Sequence, residues 1–500
     1  MLCIAVAPES RRLGKVDLFN AAGQCDLIEL RLDRLGKEPD LKEMLEGISK
    51  PVLISCRRQA DGGAWTDSED DRLVQLRTAI IANPAYVELE LDIAGKIPRF
   101  GSVKRVISHT SLDKPLTNVE ALIDQAKQVN ADVVKFVAPT PTLDAAWPLL
   151  AAVAKKRDLP VVGMGLGREG VMFSLLGQKY GAPWVYAALE KGLEAFAGQP
   201  TVTEMEEVFH YREINPQTRF VAVAGFGPAE STTVRAFNTA FAAQGLNVRC
   251  LPLEIGISGK AQQMLDNLNI NLVVCNPALA ERSLNLAEKM EESARKAQYA
   301  DLLVKQADGW QAFNTGWKSV LRVLEAGLGA RAAEDRPLDR RNVLIIGTGG
   351  LAKSVAYGVQ RRQGLLSVTG ADDAEARQFA QLNNARYIPV ANLYDTLCDV
   401  VVLADVQRFD SMTGLSSGTG LKLNPAFLRT NMHVIDLTQL VGESPLTREA
   451  RLRGAKVISG EAVFADMVSQ TYKAISGKDL APAIIEQALE AERPMDVAAE

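Results

Sequence analysis

One lysine stands in the middle of Val133-Val134-Lys135-Phe136-Val137, a run that otherwise reads as a buried strand. Its side chain must point into a barrel or at packed helices, and either place is desolvated. Desolvation disfavours the ammonium and lowers a lysine's pKa. A neutral amine can add to a carbonyl carbon, lose water and leave an imine that works as an electron sink. Most lysines are solvated, so Lys135 gains weight from its company. Other apolar runs end in Glu29-Leu30-Arg31-Leu32-Asp33, in Cys56-Arg57-Arg58 followed by Asp61-Gly62-Gly63, and in Ser108-His109. His109 lies one strand before Lys135 and is expected beside it, where an imidazole can take a proton and return it. Arg31 and Arg57 are expected to lower the lysine's pKa further. They suit an anionic substrate, because a guanidinium forks onto carboxylates, or structural ion pairs with Glu29, Asp33 or Asp61.

The elements that must hold these groups repeat along the first 200 or so residues. Short apolar runs rich in β-branched residues alternate with helical stretches: Cys3–Ala7, Leu27–Leu32, Val52–Cys56, Tyr86–Leu91, Arg105–Ser108, Val133–Val137, Val161–Met164 and Trp184–Ala188. Strands joined through helices pair in parallel by right-handed crossovers, and eight such units close into a barrel whose reactive residues sit at the carboxyl ends of the strands. Polar, turn-forming residues from Pro200 to Thr218 mark a boundary, and a charged stretch, Ala332–Arg341, reads as a linker before Asn342-Val-Leu-Ile-Ile-Gly. The expected fold class is α/β: an N-terminal (β/α)8 barrel followed by a two-lobed α/β region with a Rossmann-type dinucleotide-binding lobe. The expected domains are 1–212, then 218–330 with 460–490 returning to it, and 331–459. The acidic tail after Pro494 is expected to fray.

Composition narrows the function. Hydrophobic residues make up 47% and charged residues 23% of 500, as in ordinary globular chains. A net charge of −5 argues against a nucleic-acid partner. The six cysteines, Cys3, Cys25, Cys56, Cys250, Cys275 and Cys398, have no C-x-x-C spacing, which fits reduced thiols in a cytoplasmic protein. With only His109, His210 and His433, no multi-histidine metal site is expected. No run of 18 apolar residues occurs and the chain starts directly into a strand, so neither a membrane span nor a signal peptide is expected.

Taken together and in order, Glu29-Leu-Arg31-Leu-Asp33, Cys56-Arg57 with Asp61-Gly-Gly, Ser108-His109, Lys135 and Gly198-Gln199-Pro200-Thr201 resemble type I 3-dehydroquinate dehydratase over about 200 residues. The resemblance implies that Lys135 forms a Schiff base with the C3 ketone of dehydroquinate. It implies that His109 removes a C2 proton and helps the C1 hydroxyl leave as water. Asp61 takes a position usually filled by Glu and would pair with His109. Glu29, Arg31, Arg57 and Gln199 would hold the substrate, an anionic cyclic hydroxy acid, and no cofactor is implied. The family's carboxylate-gripping Arg is Ser174 here and its substrate-contacting Ser is Ala195. Arg168, on a loop holding four glycines between Gly163 and Gly170, is expected to turn into the barrel mouth as a replacement.

Residues 219–490 resemble shikimate dehydrogenase, through Ser231-Thr-Thr233 with Asn238, Phe313-Asn314-Thr315, and Gly460 with Tyr472. The loop Gly347-Thr-Gly349-Gly350-Leu-Ala352 follows an apolar strand and opens a helix, as a dinucleotide pyrophosphate requires. NADP or NAD is the implied cofactor. The family's catalytic Lys aligns with Leu279, its partner Asp with Gly316, its His with Phe237 and its Gln with Met467, with Gln470 close by. Asp372 could meet a ribose hydroxyl, and Lys305 or Lys318 could be recruited as the missing cation. Three functions are therefore open: a dehydratase with a degenerate second half, a fully bifunctional enzyme that also reduces 3-dehydroshikimate with NADPH, and a binding or regulatory protein keeping both folds.

Overall fold

The computed structural model describes residues 1–35, 39–256, 259–276, 279–329, 336–404 and 423–493. Part of the linker and the tail therefore lie outside the described residues. The chain divides into two compact units, Met1–Phe220 with Phe241–Asn269, and Val221–Ala240 with Ile270–Glu500. No helix among the described residues is long and apolar enough to cross a membrane.

The first unit is built on eight parallel strands: β1 (Leu2–Val6), β2 (Leu27–Arg31), β3 (Val52–Ser55), β4 (Tyr86–Glu90), β5 (Lys104–Thr110), β6 (Val133–Pro139), β7 (Val161–Leu166) and β8 (Val185–Ala187). They run in the order β7-β6-β5-β4-β3-β2-β1-β8, so β1 pairs with both β2 and β8 and the sheet curls into a nearly closed barrel. Helices α1 (Arg11–Ala22), α2 (Leu41–Leu45), α3 (Glu69–Ile81), α4 (Val119–Gln128), α5 (Leu143–Ala154) and α6 (Val171–Tyr180) alternate with the strands. Local chemistry starts them: Ser68 accepts the Asp71 N–H and three acids fill the first turn of α3, which suits the positive end of a helix.

Side chains two apart on a strand share a face. One layer inside the barrel is apolar, with Cys3, Leu27, Leu53, Val106, Val133, Val162 and Trp184 packed together. Burying each aliphatic side chain there contributes about 1.5–3 kcal/mol. Those strands can then carry a charged layer one step along, where Glu29, Ser55, Glu88, Ser108 and Lys135 are all buried.

After the barrel come β9 (Arg219–Ala224), α7 (Pro228–Ala243), β10 (Val248–Leu253) and α8 (Ala261–Asn267). Within the first unit α8 lies on α5 and β10 on α6, and the Leu143 N–H donates to the Glu254 carbonyl at 2.8 Å.

The second unit continues through β11 (Leu272–Cys275), β12 (Lys289–Met290), α9 (Glu292–Ala297), β13 (Leu302–Gln306), β14 (Gly309–Phe313) and α10 (Gly316–Leu328). These strands belong to a six-stranded sheet of order β10-β9-β11-β13-β14-β12. Next follow β15 (Asn342–Ile346), α11 (Gly350–Arg361), β16 (Leu365–Thr369), α12 (Asp373–Leu382), β17 (Arg386–Tyr387), β18 (Val400–Leu403), β19 (His433–Asp436), α13 (Pro445–Leu452), β20 (Lys456–Ile458), α14 (Gly460–Ser476) and α15 (Pro482–Glu490). The parallel order β17-β16-β15-β18-β19-β20 reverses at β15, the switch point of a Rossmann-type sheet. Helix α14 returns to lie against α10.

Candidate active site

The barrel's charged layer is a closed set of ion pairs. Lys135 is wholly buried. Its Nζ lies 3.0 Å from Glu29 Oε2 and 2.9 Å from Glu88 Oε2, and 4.5 Å from the centre of the Tyr186 ring. Glu29 also accepts from Ser55 Oγ at 2.9 Å, from Tyr186 Oη at 2.7 Å and from Arg57 Nη2. Arg57 Nε stands 3.4 Å from Glu88 Oε1. Two cations thus balance two carboxylates in a buried layer. Burial alone would raise the Glu29 carboxyl, but Arg57 and then Lys135, with the Tyr186 hydroxyl, outweigh it and hold it well below the ordinary carboxylate range.

This arrangement corrects one expectation. The charges nearest Lys135 Nζ are carboxylates, not the guanidinium groups of Arg31 and Arg57. Arg31 is turned away, with Nη2 on Asp33 at 2.8 Å and on the Gly62 carbonyl at 3.1 Å. Asp33 accepts the Ala64 N–H at 2.9 Å as well, tying the Asp61–Gly63 turn to β2. That turn needs its glycines. Gly62 has φ +77, and a Cβ on Gly63 would stand 2.0 Å from the Arg57 carbonyl oxygen. Both arginines are therefore in structural pairs. Arg57, however, keeps two buried donors, Nε and Nη1, without a hydrogen-bond partner.

His109 is half-buried and is not in register with Lys135. Ser108 is the ladder partner of Lys135, while His109 pairs with Phe136 and Thr110 with Val137. By strand alternation Ser108 and Thr110 share the face of Lys135, and His109 stands at the end of β5, where the charges of Asp61 and Asp92 act on it. Asp61 does not hydrogen-bond His109 as expected. Its carboxylate goes to Arg58 Nε at 2.6 Å, and Arg58 also reaches Asp92, because a guanidinium three residues away is the stronger partner. Burial lowers the His109 imidazole, and the charges of Asp61 and Asp92 act in the opposite direction.

Gln199 closes the set. Its Oε1 accepts the Ala195 N–H at 3.0 Å, and its Nε2 is buried without a hydrogen-bond partner. The same loop lays Phe196 on Gly62, where a Cβ would meet the ring at 2.7 Å, and 6.0 Å from the Arg57 guanidinium.

Arg168 does not take the expected place. Its Nη1 is paired with Glu204 at 2.7 Å, on the helical turn after β8. The glycines that let this loop bend serve strand packing instead, since β7 extends through Gly163 and Gly165, against Phe173 and Thr140. Ser174 lies inside α6, buried, and donates to the Tyr186 carbonyl at 3.1 Å, so an arginine there would have to displace packed helix. Arg168→Ala is expected to change thermal stability by no more than about 1 kcal/mol, as for a part-exposed ion pair, and to leave the Michaelis constant for a barrel substrate within about twofold. A steady-state titration of the variant checks this.

Glu88 and Tyr186 were not expected. Glu88 was legible in Tyr86-Val-Glu88-Leu-Glu90, where acids alternate with apolar residues on a strand with both faces covered. Nothing in the sequence around Tyr186 distinguishes it from an ordinary core aromatic.

With this geometry in place, the family model for Type I 3-dehydroquinase matches residues 2–216. Residues 2–216 are a type I 3-dehydroquinase domain. Over 474 residues the chain is 23% identical to a chloroplastic bifunctional 3-dehydroquinate dehydratase/shikimate dehydrogenase of Arabidopsis thaliana, covering 90% of this chain and 78% of that protein. A 3-dehydroquinate dehydratase of Dehalococcoides mccartyi is 28% identical over 214 residues, 41% of this chain and 93% of its own length. A solved shikimate dehydrogenase from Aquifex aeolicus covers 55% of this chain and 99% of its own, at 19% identity and a TM-score of 0.47. The charged layer described above thus lies in the dehydroquinase domain, and a shikimate dehydrogenase-like region follows it.

In that second region the positions implied for reduction are filled or self-satisfied. Leu279 is buried, and a Cβ on Gly225 would lie 3.0 Å from its Cδ1. At Gly316 a Cβ would stand 2.9 Å from both Met467 Cε and Asp301 Oδ2, so a larger residue there would have to shift the Met467 side chain and stand against the Asp301 carboxylate. Asp301 is occupied by the N–H groups of Thr315 and Gly316 and the Thr315 hydroxyl. Thr233 Oγ1 donates to its own helix at Ala229. Phe237 packs 5.4 Å from Tyr472. Lys305 and Lys318 lie 5.7 Å over the rings of Trp310 and Trp317. Pro277 and Ala278, beside Leu279, lie outside the described residues. In the glycine loop, Gly347 has φ +128, Gly349 caps α11, and Gly350 and Ala352 lie buried in its first turn.

Proposed function

We propose that the barrel dehydrates 3-dehydroquinate to 3-dehydroshikimate through a Schiff base on Lys135. The supporting observation is the buried charged layer that isolates one lysine amine. The amine must lose a proton before it attacks, and Glu88, at 2.9 Å, offers an acceptor that hands the proton on to the departing water. Attack on the C3 ketone and loss of water give an iminium that restores the positive charge at Nζ, so the two carboxylates that balanced the ammonium balance the iminium too. Electrons from the C2–H bond then flow toward that nitrogen as His109 takes the proton, and the C1 hydroxyl leaves as water. Hydrolysis of the imine returns the lysine. The spare donors of Arg57 and Gln199 are assigned to the substrate's carboxylate and hydroxyls, in place of the missing arginine.

The product is a conjugated enone, so adding 3-dehydroquinate to the full-length protein is expected to give an ultraviolet absorbance rise, at turnover numbers in the ordinary enzyme range of about 1–10³ s⁻¹. A flat trace at micromolar protein would sink the catalytic reading.

A second reading, a protein that keeps the barrel to bind rather than convert this acid, is favoured by one observation: the β5–β6 ladder sets Ser108, not His109, opposite Lys135. Calorimetry separates the two. Heat of binding with a flat absorbance trace supports the second, and turnover excludes it. The compartment is assigned as cytoplasmic from the six unpaired, buried cysteines.

A further inference from the structure

The glycine loop after β15 has the spacing of a dinucleotide site, and α11, with 12 residues, presents its N-terminus there. Such a terminus attracts an anion. In this chain the anion is supplied from within. A Cβ on Gly350 would lie 3.0 Å from Glu281 Cγ, 3.2 Å from Glu281 Oε1 and 2.6 Å from the Tyr299 ring. Glu281 Oε1 in turn accepts from Lys353 Nζ, on the first turn of α11, at 2.9 Å. The carboxylate therefore sits against Gly350, the residue after the second glycine of the loop, and it holds the first-turn cation that could have met a phosphate.

Two more carboxylates face the same loop. Glu375 Oε2 accepts from Thr348 Oγ1, between Gly347 and Gly349, at 3.3 Å. Asp372 Oδ1 accepts the Ala374 and Glu375 N–H groups at 2.7 and 3.0 Å, capping α12, so the oxygen proposed for a ribose hydroxyl is already engaged. A dinucleotide would bring two negative charges into this acidic rim, and an NADP-type one would bring a further phosphate.

We infer that the nucleotide lobe does not take a nicotinamide dinucleotide, because the Glu281 carboxylate, clasped by Lys353, sets a negative charge beside the start of α11, where a pyrophosphate would have to bring its own. The residues present do not fit the cofactor that the dehydrogenase-like fold implies. A tethered carboxylate loses no translational freedom, so its charge stands beside this helix end and holds Lys353 whether or not a free phosphate is present. This inference is independent of the barrel's activity.

The test is direct titration of the full-length protein with NADP⁺ and, separately, NAD⁺, by calorimetry or tryptophan fluorescence. The wild type is expected to show no saturation up to about 1 mM. Glu281→Ala is expected to gain affinity by roughly tenfold or more, and Glu281→Ala combined with Glu375→Gln to gain further, with the gain shrinking at high salt. Glu281→Gln keeps the side chain's bulk while removing its charge. It serves if the alanine variant fails to fold, as judged by circular dichroism, and is expected to show a smaller gain. Micromolar binding by the wild type would overturn the inference. So would well-folded Glu281 variants that bind no better than the wild type.

Discussion

Lys135→Ala is expected to lower turnover of 3-dehydroquinate by roughly a thousandfold or more, because no other amine stands in the charged layer to form the imine. The alanine variant alone is ambiguous. It leaves Glu29 and Glu88 buried against a single guanidinium, and breaking a buried ion pair costs about 3–5 kcal/mol. Lys135→Arg resolves the ambiguity. It keeps a positive charge between the carboxylates, yet a guanidinium that stays protonated cannot add to a ketone. We expect Lys135→Arg to melt closer to the wild type than Lys135→Ala does and to be equally inactive. Residual turnover within tenfold of the wild type in either variant would remove Lys135 from the mechanism.

Glu29→Gln carries the second large effect, on stability. The Glu29 carboxylate is wholly buried and receives Ser55, Arg57, Lys135 and Tyr186. Removing its charge leaves two buried cations facing one carboxylate, at a cost of about 3–5 kcal/mol. The pH dependence follows from the direction of its shift. The folded pKa is depressed below the unfolded value of about 4.3, so the stability that Glu29 contributes is fully present above that value and is lost as pH falls toward the folded pKa. The gap in melting temperature between wild type and Glu29→Gln should be constant from about pH 7 to pH 5 and narrow below about pH 4. A gap independent of pH down to pH 3 would show that Glu29 is not ionised in the folded barrel.

Most of the barrel could be read from the chain because strands buried on both faces are near-continuous apolar runs. Every one of the eight expected runs contains or overlaps a strand of the sheet. A charged residue inside such a run can only belong to the interior layer, and on that ground Glu29, Arg57 and Lys135 were recognised. Register was not legible. One residue of slip reverses the face of a strand's side chains, and at the end of β5 the ladder pairs Ser108, not His109, with Lys135. Arg168 failed for a different reason. A long side chain on a glycine loop takes the nearest carboxylate, and Glu204, 36 residues away in sequence, carries no local signal of its proximity. Glu281 is harder still: its meaning depends on Gly350 and Lys353, about 70 residues further along and in the other lobe. The losses at Leu279 and Gly316 were visible by resemblance, and the structure adds that Leu279, Met467 and Asp301 fill the space.

The central claim is a covalent bond, and it can be weighed. The full-length protein is incubated with 3-dehydroquinate, reduced with borohydride, digested and measured by mass spectrometry. The account predicts one adduct, on the peptide containing Lys135, absent without substrate and absent in Lys135→Ala. No adduct from protein that turns the substrate over, or an adduct on another lysine that survives Lys135→Ala, would contradict it.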